Sequence, residues 1–208
     1  MNNIIDYLDE LIPDPICELN YTHDYELLIA TVLSAQCTDK RVNEVTKELF
    51  KKYPTIMLLK DASIEDIKKI IRPCGNFNKK SEYILTIANR LNDDQNGIVP
   101  NDFDYLIKLP GVGRKTINVV LSELYNVPTI AVDTHVERVS KRLKLALPKD
   151  DVLKIEKKLM QKINKNKWNR VNHQLVLFGR YHCKALNPNC KECKIKEWCR
   201  YYEKNNNF

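Results

Sequence analysis

The sequence predicts an all-α fold. Three observations carry this. Apolar residues recur at spacings of three and four along most of the chain, alternation with a period of two is not sustained anywhere, and the breaks between periodic segments are short. A helix buries a stripe that returns every three to four residues, whereas a half-buried strand buries every second one.

Taken in order, Leu27, Leu28, Ala30, Thr31, Val32 and Leu33 belong to an apolar run long enough for a buried central helix, with Thr22 or Asp24 placed to cap it. Val42, Val45, Leu49 and Phe50 follow at helical spacing. Ile64, Ile67, Ile70 and Ile71 repeat it after Ser63, an N-cap residue type, with Glu65 and Asp66 in the first turn. The same period runs through Tyr83, Ile84, Ile87, Ala88 and Leu91, then Ile117, Val120, Leu121 and Leu124. It returns in Val152, Ile155, Leu159 and Ile163, and in Val171, Leu175 and Phe178. The breaks fall at Tyr53-Pro54, Arg72-Pro73, residues 97–102, residues 126–128 and Leu147-Pro148, which suits a tightly connected helical protein.

A chain of 208 residues can hold one large domain or two small ones. Hydrophobic residues make up 43% and charged residues 29%, the balance of a soluble globular protein. No apolar run reaches the ~18 residues a membrane span needs. The first fifteen residues carry Asp6, Asp9, Glu10 and Asp14 and no basic residue, the reverse of a secretory signal, so a cytoplasmic location is expected, on the nucleoid if the source is bacterial. Net charge is +7, unevenly spread: residues 1–136 hold 15 Lys and Arg against 20 Asp and Glu (−5), and residues 137–208 hold 19 against 7 (+12). Such a split predicts one basic face, as on a nucleic-acid-binding protein or simply a lysine-rich solvated surface.

Only five glycines occur, and two stand in Leu109-Pro110-Gly111-Val112-Gly113-Arg114-Lys115. The pattern predicts a helix over residues 102–109 before this string and another over residues 114–125 after it. A glycine turn followed by a helix N-terminus gathers backbone N–H groups into an anion site suited to a DNA phosphate. The string resembles the helix-hairpin-helix motif, which makes Gly111, Val112, Gly113 and Arg114 candidate DNA contacts.

Of seven cysteines, Cys17, Cys37 and Cys74 are scattered, while Cys183, Cys190, Cys193 and Cys199 lie within 17 residues. With no signal peptide, this density points to a metal centre rather than disulfides. Ligand chemistry alone allows tetrahedral zinc or an iron–sulfur cluster. Lys184, Lys191, Lys194 and Lys196 fall within the same stretch, so a metal centre there would fix a basic surface, with Lys191 as a candidate DNA contact.

The hairpin, the segment Val132-Asp133-Thr134-His135 and the spacing Cys183-x6-Cys190-x2-Cys193-x5-Cys199 occur in the order found in the endonuclease III family. Ser34-Ala35-Gln36-Cys37-Thr38-Asp39 also resembles that family's early motif, and the likeness runs from about residue 20 to residue 200. The resemblance implies two helical lobes, one of six helices over residues 18–128, the other combining residues 1–17 and 129–208. It also implies a [4Fe–4S] cluster on the four cysteines and double-stranded DNA with damaged pyrimidines or abasic sites as partner; a monomer is the default. The implied activity is a DNA glycosylase with an associated strand-cleaving lyase.

Lys115 stands where the family has its catalytic lysine, and Asp133 where it has its catalytic aspartate. A lysine near pKa 10.4 is a poor nucleophile at neutral pH, so Lys115 is expected at a helix N-terminus and partly buried, which favours the free amine. Asp133 is expected at the N-cap of a helix over residues 134–143, facing the sugar. Gln36 matches the residue that fills the gap left by a flipped base. His135 is a candidate phosphate contact or a support for Asp133.

Two positions depart from the family. Asn76 replaces an often apolar residue in the second wedging loop, and a polar wedge should disturb stacking less. The loop between the first two cysteines, residues 184–189, carries one basic residue only. An adenine-removing relative would need a carboxylate in residues 27–36 and would lack Lys115, and an 8-oxoguanine relative normally lacks the cysteines. A zinc-bearing DNA-binding module would give a colourless protein without strand cleavage, and an electron-transfer protein would leave the hairpin and Lys115 unexplained.

Overall fold

The computed structural model describes residues 1–206, and every regular element among them is helical. In chain order these are α1 (Asn2–Leu11), α2 (Asp24–Leu33), α3 (Asp39–Lys52), α4 (Ile56–Lys60), α5 (Ile64–Ile71), α6 (Phe77–Gln95), α7 (Phe103–Leu106), α8 (Arg114–Tyr125), α9 (Thr134–Arg142), α10 (Val152–Lys162), α11 (Trp168–Leu177) and α12 (Arg200–Asn206). Short 3-10 turns cover Arg72–Cys74, Lys165–Lys167 and Lys196–Trp198. The chain divides into two compact units, Cys17–Tyr125 and the remainder, Met1–Ile16 with the segment from Asn126 onward. The first holds 15 basic and 15 acidic residues and is neutral; the second holds 19 against 12 and carries the whole excess of +7.

In the unit Cys17–Tyr125, α2 is the central element because it is apolar on every face. Leu27, Leu28, Ile29, Ala30 and Leu33 are fully buried. Its cap differs from the expected Thr22 or Asp24. His23 is the N-cap, and Glu26 reaches back so that its Oε2 accepts from the N–H groups of Thr22 (2.6 Å) and His23 (3.2 Å). Asp24 lies inside the first turn, and its Oδ2 accepts from the N–H of Val99 (2.6 Å). Ser63 is the N-cap of α5, but its hydroxyl makes no capping bond.

The helix expected over residues 102–109 is shorter. The Asp102 side chain caps it through Tyr105 N–H, the regular turn covers Phe103–Leu106, and the chain then tightens, Leu109 N–H donating to Leu106 at 3.1 Å. Pro110 is the physical reason, since the residue before a proline is pushed out of the helical region. Helix α8 begins at Arg114 as the pattern predicts.

The other unit is built on α1 and α9–α12 around Leu8, Val136, Val139, Ile155, Leu159, Leu175 and Phe178. Phe178 is 1% exposed and meets Tyr7 edge-on at 6.2 Å, a packing worth about 1 kcal/mol beyond the burial itself. After Leu177 helix α11 widens into a π turn over Phe178–His182, which delivers the chain to Cys183. At Gly179 a Cβ would stand 2.9 Å from the Cβ of His135, so a glycine is what lets the π turn pack onto α9.

Candidate active site

The hairpin is set by one glycine that cannot be replaced and one that need not be. Gly111 has φ +74°, and a Cβ there would lie 2.5 Å from Cδ2 of Tyr83 on α6 and 3.2 Å from Cγ1 of Val32 on α2. Left-handed backbone and close approach together demand glycine. Gly113 has open space where a Cβ would be, so its surface is free for a backbone to approach. Val112 between them is buried and anchors the turn, its N–H donating to Leu109 at 3.2 Å. Arg114 and Lys115 then occupy the first turn of α8, where a helix leaves its N–H groups without intrahelical acceptors. Lys115 is exposed rather than partly buried as expected. The helix N-terminus is in place, and burial within the chain is not.

Gln36 is exposed and holds φ +56°, uncommon for a residue with a Cβ. Asn76, also exposed, is the N-cap of α6 with φ +46°. That backbone accounts for the polar residue at this position, because Asn tolerates the left-handed region and a branched apolar side chain does not.

Asp133 is the N-cap of α9, and its Oδ1 accepts from the N–H groups of His135 and Val136, both at 2.8 Å. Both capping bonds fall on one oxygen, so Oδ2 is not used by the cap. Next to it, Arg138 Nη2 lies 3.2 Å from His135 Nδ1 and donates to the Gly179 carbonyl at 2.6 Å. A guanidinium can only donate, so His135 Nδ1 is placed to accept from it.

The same helix grips the cysteine loop. Arg138 Nε donates to the Cys183 carbonyl (3.3 Å). Arg142 Nη1 donates to the Cys183 sulfur (3.3 Å) and the Lys184 carbonyl (2.7 Å), and its Nη2 to Ala185 (3.1 Å). Its guanidinium stacks 4.0 Å from the Tyr201 ring centroid. Cys183, Cys190, Cys193 and Cys199 all line one small pocket with Phe178, His182 and Tyr201. Burial raises the thiols of Cys183 and Cys190 above the ordinary range and pushes Cys193 up to about 11, with the neighbouring sulfurs adding to it, while Arg142 pulls Cys183 and Cys190 back down. Four crowded thiols of this kind become thiolates readily only when a cation sits among them. Among the described residues no three His, Cys, Asp or Glu side chains are spaced to hold one metal ion. Lys191 is exposed on the loop between Cys190 and Cys193.

Residues 29–165 match the model of the HhH-GPD superfamily base excision DNA repair proteins. The chain is 46% identical to endonuclease III of Bacillus subtilis over 96% of its own length and 91% of the relative's. To endonuclease III of Escherichia coli K12 it is 42% identical, over 97% and 95%. Among solved structures it is similar to a trapped endonuclease III–DNA covalent intermediate in an estranged-adenine complex, with a TM-score of 0.94 and 48% identity over 98% of this chain and 96% of that one. The chain belongs to the endonuclease III family.

In this member of the family the hairpin, the Asp133 cap and the four cysteines are visible in the sequence, but what holds them is not. Arg138 and Arg142 are one turn apart on α9, a spacing visible in the sequence, yet their partners lie some 40 residues on, around Cys183. Gln36 and the hairpin glycines belong to the unit Cys17–Tyr125; Asp133, His135 and the cysteines belong to the other.

Proposed function

We propose that this chain is a bifunctional DNA glycosylase and abasic-site lyase of base excision repair that removes oxidised pyrimidines, with Lys115 as nucleophile and Asp133 as the carboxylate facing the sugar. The observation that carries this is Lys115 in the first turn of α8 directly behind the Gly111–Gly113 turn, a place where backbone N–H groups hold a phosphate and an amine stands beside it.

In this reading the damaged nucleotide leaves the duplex stack. The Lys115 amine attacks C1′, the C1′–N bond breaks, and the base departs with a proton. Opening of the C1′–O4′ bond gives an imine between Lys115 and the sugar. Loss of a C2′ proton expels the 3′ phosphate and cuts the strand on the 3′ side of the lesion. Hydrolysis of the imine frees Lys115. Because Lys115 is exposed in the protein itself, the bound duplex supplies the water-excluding cover that the nucleophile needs. Asp133, through the oxygen its cap leaves unused, stabilises positive charge developing at C1′ and passes protons. Gln36 and Asn76 meet the gap left in the duplex, and Gly111, Val112, Gly113, Arg114, His135 and Lys191 contact its backbone.

Cys183, Cys190, Cys193 and Cys199 would hold a [4Fe–4S] cluster. A pocket that gathers four thiols beside Phe178, Tyr201 and Tyr202 offers the soft sulfur ligands such a cluster takes, rather than the spacing for a single ion. When bound it ties residues 183–199 into one rigid loop and presents Lys191; the strand chemistry does not pass through it. The neutral unit Cys17–Tyr125 is then the hairpin lobe, and the unit of charge +7 the one that draws the polyanion. We place the protein in the cytoplasm, as a monomer on DNA.

The test is borohydride trapping on a labelled duplex containing thymine glycol or an abasic site. A covalent protein–DNA band from the wild type that is missing in Lys115→Gln identifies the imine and its lysine. No band from folded, iron-loaded wild-type protein would falsify the lysine mechanism.

A further inference from the structure

Two turns of the unit Cys17–Tyr125 each carry one thiol, and a buried lysine ties their backbones together. Lys80 is 4% exposed, and its ammonium donates to the carbonyls of Leu33 (2.9 Å), Ala35 (2.8 Å) and Cys74 (2.9 Å). One cation shared among three carbonyls fixes Cys74 against the end of α2, where the chain runs on through Gln36 into Cys37. Cys74 is 2% exposed and Cys37 is half-buried. The two thiols are neighbours, close enough for each to affect the other's ionisation. Each stands beside left-handed backbone: Cys37 follows Gln36 (φ +56°), and Cys74 precedes Gly75 (φ +63°) and Asn76 (φ +46°). The strand chemistry uses neither sulfur, and both lie outside the Cys183–Cys199 loop.

We propose that Cys37 and Cys74 are a redox-modification site, a thiol pair that closes reversibly into a disulfide by exchange with a disulfide oxidant such as glutathione disulfide and so staples the Gln36 turn to the Asn76 turn. The more accessible Cys37 releases its proton to water, and its thiolate attacks one sulfur of the oxidant. A mixed disulfide forms at Cys37, and one glutathione thiolate leaves and is protonated. Cys74 then gives up its proton and attacks the Cys37 sulfur, and the second glutathione thiolate leaves. Two protein thiols are oxidised, and one glutathione disulfide is reduced to two thiols. Burial pushes the Cys74 thiol up to about 12, and the nearby Lys80 ammonium opposes that rise. Cys74 is therefore a poor first attacker and serves to resolve the bond at Cys37. The consequence for DNA rests on the function proposed above, which puts both turns on the duplex. Once stapled, they cannot part or shift to admit it.

The purified protein is incubated anaerobically with glutathione disulfide, free thiols are alkylated, and the digest is read by mass spectrometry. The expected product is a peptide pair joined through Cys37 and Cys74, lost on treatment with dithiothreitol. Cys74→Ser should instead accumulate the glutathione adduct at Cys37. A wild type that carries only the Cys37 adduct, with no joined pair, overturns the proposal. Should Cys74→Ser fail to fold, Cys37→Ala, at the half-buried position, must leave Cys74 unmodified; a glutathione adduct on Cys74 in that variant overturns the order of attack. Binding to a duplex with a stable abasic analogue is then measured by fluorescence anisotropy. Oxidised wild type should bind roughly fivefold more weakly or worse, and Cys37→Ala should not change with oxidation. Equal weakening in both overturns the staple as the cause. A joined pair with unchanged affinity leaves the thiol site standing and sinks the placement of the two turns on the duplex.

Discussion

Arg142 donates through Nη1 to the sulfur of Cys183 at 3.3 Å, so the last turn of α9 is fastened to the first of the four pocket cysteines. The same guanidinium holds the Lys184 and Ala185 carbonyls and lies over Tyr201. Bonds from a charged donor are worth about 1.5–3 kcal/mol and the ring contact about 0.5–1. Arg142→Ala should therefore cost about 2 kcal/mol after solvent discount, a fall in melting temperature of roughly 4–8 °C. It should also speed loss of iron, followed by the visible absorbance of the protein. Arg142→Lys keeps the charge but not the fork, and should fall between. Unchanged iron retention in the Ala variant would separate this contact from the cysteine pocket.

The two hairpin glycines should respond in opposite ways. Gly111→Ala meets Tyr83 at 2.5 Å from a left-handed backbone, and should cost about 2–4 kcal/mol of stability. Gly113→Ala finds open space and should melt near the wild type. In the proposed function its added methyl stands where a phosphate would approach, so duplex binding should weaken by roughly tenfold, about 1.4 kcal/mol. Thermal unfolding and anisotropy on the same two variants decide the matter; a Gly113→Ala protein that binds normally removes that residue from the interface.

These contrasts also mark how far the sequence could be read. The helices were legible because burial writes a 3.6-residue period, as in the run Leu27–Leu33 and in Ile117, Val120 and Leu121. Helix α1 carries a weaker form of the same signal in Ile4, Ile5 and Leu8, all buried, because Asp6, Asp9 and Glu10 interrupt its apolar run. Caps were less legible, because Glu26 reaching back to His23 competes with Asp24, and only packing shows that Asp24 is already committed to Val99. The place of Lys115 at the start of α8 was legible from its motif; its exposure was not, since no local pattern encodes what covers a side chain. The Cys37–Cys74 pair was invisible for a different reason. Lys80 ties the Ala35 and Cys74 carbonyls together through tertiary hydrogen bonds that leave no periodic trace.

Asp9 on α1 offers a titration of the fold. Its Oδ1 accepts from Gln174 Nε2 (2.9 Å) and Arg170 Nε (2.7 Å) on α11. The Gln174 bond, then the Arg170 bond, hold the carboxyl below its ordinary value of 3.8. A carboxyl whose folded pKa is depressed adds stability above its unfolded pKa and loses it as pH falls through the folded one. Asp9 and Arg170 are 33% and 42% exposed, so screening limits the gain to under about 1 kcal/mol. Asp9→Asn should be less stable than wild type by that amount at neutral pH, and the difference should close as pH drops below 3.8. Melting curves across a pH series test it, and a gap that persists at the acid end would assign the loss to packing.

Asp133 combines a cap with a proposed chemical role, and one substitution separates them. The cap uses Oδ1 alone, accepting from His135 and Val136. Asn caps a helix as well as Asp does, so Asp133→Asn should melt within about 1 °C of wild type. It loses the negative charge that would face developing positive charge at C1′, and single-turnover base release should slow by roughly a hundredfold. Asp133→Ala loses the cap as well, at about 1 kcal/mol or roughly 2–4 °C, and should be no faster. If Asp133→Asn released base at the wild-type rate, the carboxylate would be a cap and nothing more, and the proton traffic would have to pass through another group, His135 being the nearest candidate on α9.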